Sequence, residues 1–96
     1  MLRERIVLQK AIDKYGEEAQ LKMVLEEMSE LQKEICKRWI GQDNAGSIAE
    51  EVADVEIMLV QLKMMLGIEP DVENCRLVKL LRLQERLEET GNESGN

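Results

Sequence analysis

The sequence predicts an all-α fold, a four-helix bundle-like domain that assembles as a homo-oligomer, and three observations lead there. Apolar residues recur at helical spacing in four successive stretches, with no alternation long enough for a strand. Glycine or proline punctuates each junction. The third stretch is apolar on two faces, which four helices could enclose in one chain but which, with so short a first helix, a second copy is expected to help cover. With 96 residues the chain makes one domain, expected over roughly residues 1–90 with a disordered tail over 91–96. A chain this short buries only about 60–65 % of its unfolded surface. Phe is absent and Tyr15 and Trp39 are the only aromatics, so Leu, Ile, Val and six Met must fill the core, a set that suits helix packing.

Taken in order, Leu2, Ile6, Leu8 and Ile12 give a first helix over roughly residues 2–14, stopped by Gly16. Leu21, Val24, Leu25, Met28, Leu31, Ile35 and Trp39 share one face of a second helix over roughly 17–39, whose acidic start at Glu17 and Glu18 suits the helix dipole. The polar, glycine-bounded run from Gly41 to Gly46 reads as a loop. Ser47 with Glu50 three residues on makes a capping box for a third helix over roughly 47–66, with Asn44 as the alternative cap. Gly67 ends that helix, and Pro70-Asp71 breaks the chain and caps a fourth over roughly 72–89.

On the third helix, Ile48, Val52, Val55, Leu59, Leu62 and Leu66 form one stripe with coiled-coil spacing, and Ala49, Ala53, Ile57, Val60 and Met64 form a second. A helix apolar on two faces is sandwiched between neighbours, so a homodimer or dimer of dimers is expected rather than a monomeric bundle.

Charge and composition then exclude several functions. Twenty acidic against 13 basic residues leave a net charge of −7, which opposes a grip on nucleic-acid phosphates and favours cations. There is no His, and Cys36 and Cys75 lack C-x-x-C spacing, so the usual zinc sites and all His-dependent catalysis are removed. Both thiols are expected to be free and buried. No apolar run approaches the roughly 18 residues of a membrane span, and Met1 leads directly into charged residues, so no membrane association and a cytoplasmic location are expected.

The candidate chemistry lies in two pairs of carboxylates. Glu27 and Glu30 on the second helix, and Glu51 and Asp54 on the third, are each three residues apart and so project as neighbours roughly 5–6 Å apart at Cβ. Such pairs repel by a few tenths of a kcal/mol on an exposed face and by more when partly buried. One pair alone is ordinary helix surface; two pairs beside apolar stripes on consecutive helices are not. If the two helices pack antiparallel through the short loop, the pairs lie within roughly two turns of each other. All four could then hold one or two Mg²⁺ ions, with Mn²⁺ possible, whose preference for hard oxygen ligands suits a site shared with substrate phosphates. Glu26, Glu34 and Glu50 are alternatives for accepting the proton of an attacking water.

These residues also resemble a known family. Gln20-Leu21, then Glu26-Glu27-Met28-Ser29-Glu30-Leu31, then Glu51-Val52-Ala53-Asp54, is similar to the E-E-x-x-E and E-x-x-D signature of the MazG-like all-α nucleoside triphosphate pyrophosphohydrolases. The likeness runs from the first helix to about Glu89. It implies Mg²⁺-dependent cleavage of a nucleoside triphosphate between its α and β phosphates, releasing a monophosphate and pyrophosphate, in a homodimer or tetramer. Glu27, Glu30, Glu51 and Asp54 look like the metal ligands on this resemblance, with Glu26 a weaker candidate.

Substrate contacts are less defined. Trp39 could stack on a base, or it could plug the bundle end or a subunit interface. Lys33, Lys37 and Arg38 near the loop, and Arg76, Lys79, Arg82 and Arg86 on the fourth helix, are candidates for phosphate contacts, though Arg82 and Arg86 could equally pair with Glu85 and Glu89. Gln20 and Gln61 lie on the same helix sides as Glu27 and Asp54 and could hydrogen-bond substrate. The competing reading is a non-catalytic helical interaction protein whose carboxylates are a solvated face; a ferritin-like redox site lacks its His.

Overall fold

Two long helices joined by a short polar turn organise the molecule. The computed structural model describes residues 3–94, with side chains described through residue 89, and these residues form α1 (Glu4–Tyr15), α2 (Glu17–Trp39), α3 (Ala45–Leu66) and α4 (Glu69–Ser94). No strand occurs among them. The boundaries of α2 match the expected ones. Of the tail expected over 91–96, residues 91–94 continue the backbone helix of α4 and 95–96 lie outside the described residues.

Each junction has a local cause. Gly16 alone separates α1 from α2, at φ 89° and ψ 155°, a region that is essentially restricted to glycine. Its N–H donates to the Ile12 carbonyl at 2.8 Å and its carbonyl accepts from the Gln20 N–H at 3.1 Å, so one residue closes one helix and opens the next. At the end of α3, Gly67 is left-handed at φ 64°, and the Ile68 N–H reaches back to the Lys63 carbonyl at 3.1 Å, a Schellman closure.

Two starts differ from expectation. α3 begins at Ala45 with Asn44 at the N-cap, which puts Ser47 inside the helix and leaves no capping box. Yet the Asn44 side chain does not cap. Its Nδ2 donates to the Glu34 carbonyl at 2.9 Å and to Glu34 Oε2 at 2.7 Å, pinning the start of α3 to α2. α4 begins at Glu69, so Pro70 sits in its first turn rather than ahead of it. The N–H that proline lacks would be unpaired there anyway, and the turn is closed by Val72 N–H to the Ile68 carbonyl at 2.9 Å.

The packed unit is α1 to α3, with α2 and α3 antiparallel along most of their length and α1 laid across both. Its buried residues are Leu8, Ile12, Gln20, Val24, Met58 and Gln61. Among the described residues α4 packs on the end of α3, around Leu59, Leu62, Ile68 and Val72, and is linked to α1 by Arg5, whose Nη1 donates to Glu69 Oε2 at 2.8 Å. The rest of α4 projects away. The radius of gyration is accordingly 17.8 Å, against about 12–13 Å for a compact domain of this length.

Asn44→Ala removes both bonds from α3 to Glu34. It is expected to lower the thermal midpoint by a few degrees while leaving helical content unchanged; an unaltered melting curve would show that the turn is held by other contacts.

Candidate metal centre

The line along which α2 meets α3 coincides only in part with the apolar faces seen in the sequence, sharing Val24 and Leu31 of α2 and Ile48, Val55 and Leu62 of α3 with them. On α2 the buried and half-buried positions are Gln20, Val24, Glu27, Leu31, Glu34 and Lys37, and on α3 they include Ile48, Glu51, Val55, Met58, Gln61, Leu62 and Met65. Apart from Lys37 and Gln61, both sets follow the alternating three- and four-residue spacing of a helix seam. Glu27, Glu34 and Glu51 therefore lie on the seam itself, with Asp54 and Glu30 exposed beside it.

This placement draws three carboxylates together. Glu27, Glu51 and Asp54 each offer an oxygen, and those oxygens lie within 4.8 Å of one another. Glu27 and Glu51 are half-buried and Asp54 is exposed, so the cluster is open on one side. Glu51 Oε2 is buried without a hydrogen-bond donor. Glu30 stands outside the triad, exposed on α2, near enough for its charge to act on both Glu27 and Glu51.

The electrostatics follow from that geometry. Glu27 is held above the ordinary carboxylate value of 4.5, first by desolvation and then by the charges of Asp54 and Glu51 and a shared hydrogen bond with Asp54. Glu51 is raised in the same direction, by desolvation and then by Asp54, Glu30 and Glu34. No cationic side chain is among the causes acting on either group. Three convergent carboxylates with no cation among them, one carrying an unpaired buried oxygen, form an all-oxygen donor set of the kind that Mg²⁺ and Mn²⁺ prefer.

Glu34 behaves oppositely. The Asn44 amide and the Lys37 ammonium, whose Nζ donates to Glu34 Oε1 at 3.1 Å, hold it below the ordinary value. Each of its oxygens already accepts a hydrogen bond, whereas Glu26 and Glu50, the other two carboxylates considered for the water's proton, are exposed. Sequence reasoning treated Asn44 only as a cap, and no spacing rule connects positions 34 and 44.

The remaining candidates are scattered. Gln20 is buried in the seam, one helical heptad before Glu27, and Gln61 is 3 % exposed with Oε1 lacking a donor. Lys37 is tied to Glu34. Trp39 is 88 % exposed at the end of α2, so it plugs nothing within the chain. Arg82 and Arg86 belong to α4, which packs against no part of α2. Cys36 and Cys75 are free thiols as expected but exposed rather than buried, because among the described residues no helix packs over the outer face of α2 or the shaft of α4. No helix among the described residues is long and apolar enough to cross a membrane. Comparisons with protein-family models, curated proteins and solved structures gave no match.

Proposed function

We propose that the protein is a Mg²⁺-dependent nucleoside triphosphate pyrophosphohydrolase, cleaving between the α and β phosphates to give a nucleoside monophosphate and pyrophosphate, and that it works as a homo-oligomer. The observation that carries this reading is the convergence of Glu27, Glu51 and Asp54 from two helices onto one open, all-oxygen site with no cation of its own. The likeness of these residues to the MazG-like signature supplies the reaction.

Within it, Glu27, Glu51 and Asp54 would hold the metal, with Glu30 at the rim as the fourth carboxylate of the signature. A bound Mg²⁺ contributes Lewis-acid charge for the triphosphate oxygens and lowers the pKa of water. The chain's own work is positional. The seam fixes the carboxylates before substrate arrives, Asn44 and Glu34 set the stagger of the two helices, and Glu26 or Glu50 takes the proton as the water oxygen bonds to phosphorus and pyrophosphate departs.

A screen of ribo- and deoxyribonucleoside triphosphates with Mg²⁺, reading pyrophosphate and inorganic phosphate separately, tests the reading. Pyrophosphate with at least one substrate, abolished by chelation, is the expected result. Inorganic phosphate in its place would assign a different bond, and neither product would leave the non-catalytic interaction protein, which the exposed apolar surface also favours.

A further inference from the structure

Among the described residues α4 packs against the rest of the chain only at its base. It extends for 26 residues, about 39 Å. Leu77, Leu80, Leu81 and Leu87 recur on one side of it at helical spacing, all exposed. An isolated helix of this composition is marginal in water, and its apolar stripe needs covering.

A matching surface lies on the α2–α3 hairpin. Leu25, Met28 and Ile35 of α2 and Val55 of α3 line one open groove, with Leu25 68 % exposed.

The area decides the occupant. The chain exposes 7811 Å², where a folded monomer of 11.1 kDa exposes about 5,700 Å². The excess, about 2,100 Å² per chain, is what an obligate homodimer buries. A foreign partner would have to supply both an arm and a groove of the same chemistry; a second copy already has both.

We propose that α4 is an exchanged arm: in the homo-oligomer its leucine stripe lies in the Leu25–Met28–Ile35–Val55 groove of a second copy, and the second copy's arm lies in the groove of the first. This deepens the homo-oligomeric part of the reading above and is independent of its chemistry. Two such contacts related by a two-fold axis form a closed, isologous interface.

Sedimentation velocity on the full chain tests it. Wild type is expected at twice the 11.1 kDa chain mass or a multiple of that. Leu80→Glu with Leu81→Glu on the arm, and separately Met28→Glu in the groove, are each expected to give monomers. Circular dichroism of either monomer should lose the helical signal of α4 and keep that of α1–α3, which also shows that the variants fold. A monomeric wild type overturns the proposal, and so does an arm variant that stays dimeric, which would place hairpin against hairpin. Pyrophosphate release assayed on the same samples separates the two readings, since a dimer without it leaves the exchanged arm standing and removes the proposed chemistry.

Discussion

Asp54→Asn and Glu51→Gln are each expected to lower Mg²⁺-dependent pyrophosphate release at least about a hundredfold, close to the loss seen when a group acting chiefly in the transition state is removed. Each exchange keeps shape and removes one charge from a triad whose oxygens lie within 4.8 Å of one another. The loss should appear in kcat more than in KM, because a triphosphate retains most of its contacts while the metal is misplaced by the altered ligand. Circular dichroism and sedimentation should be unchanged, since neither side chain fills the apolar core. Glu30→Gln is expected to cost less, because Glu30 lies outside the triad. Wild-type turnover in Asp54→Asn or Glu51→Gln would sink the catalytic assignment.

The helices were legible in the sequence because their punctuation is local. Gly16, the polar run after Trp39, Gly67 and Pro70 each act on the backbone within a few residues. What periodicity could not say was which helix face meets which neighbour. The Leu25–Met28–Ile35 face of α2 has the stronger apolar signal, yet within the chain it is open, and the seam runs through Val24, Glu27 and Leu31. Periodicity reports that a face is to be buried and is silent on whether the cover comes from the same chain. Cys36 was misplaced for that reason.

The site was legible in a different way. Glu27, Glu51 and Asp54 announce themselves by spacing together with their position beside apolar stripes, and the antiparallel hairpin brings them together. Glu30 shares the spacing with Glu27 but lies 300° further round the helix at about 100° per residue, which turns it off the seam. The Glu34–Asn44 bond was invisible because it depends on how tightly the turn closes, a property of three-dimensional register and not of composition.

Mg²⁺ is expected to raise the thermal midpoint by about 10–20 °C at a hundred times its dissociation constant, since such a ligand adds about 2.7 kcal/mol and each kcal/mol is worth about 4–8 °C in a domain of this size. Without divalent ions the triad is a liability whose sign can be worked out. Glu27 and Glu51 hold protons more tightly in the fold than in the unfolded chain. Between 4.5 and their raised values the folded state therefore binds more protons, and metal-free stability falls as pH rises through that window. Glu34 works in the other sense and at lower pH: its stabilising contribution is present above 4.5 and is lost as pH falls through its lowered value. Mg²⁺ should reverse the first slope, because it replaces the protons that relieve the repulsion. Glu51→Gln should separate the two effects, raising the metal-free midpoint while abolishing most of the Mg²⁺ shift. A wild-type midpoint indifferent to Mg²⁺ and Mn²⁺, with the same pH slope in Glu51→Gln, would leave the three carboxylates as solvated surface charge.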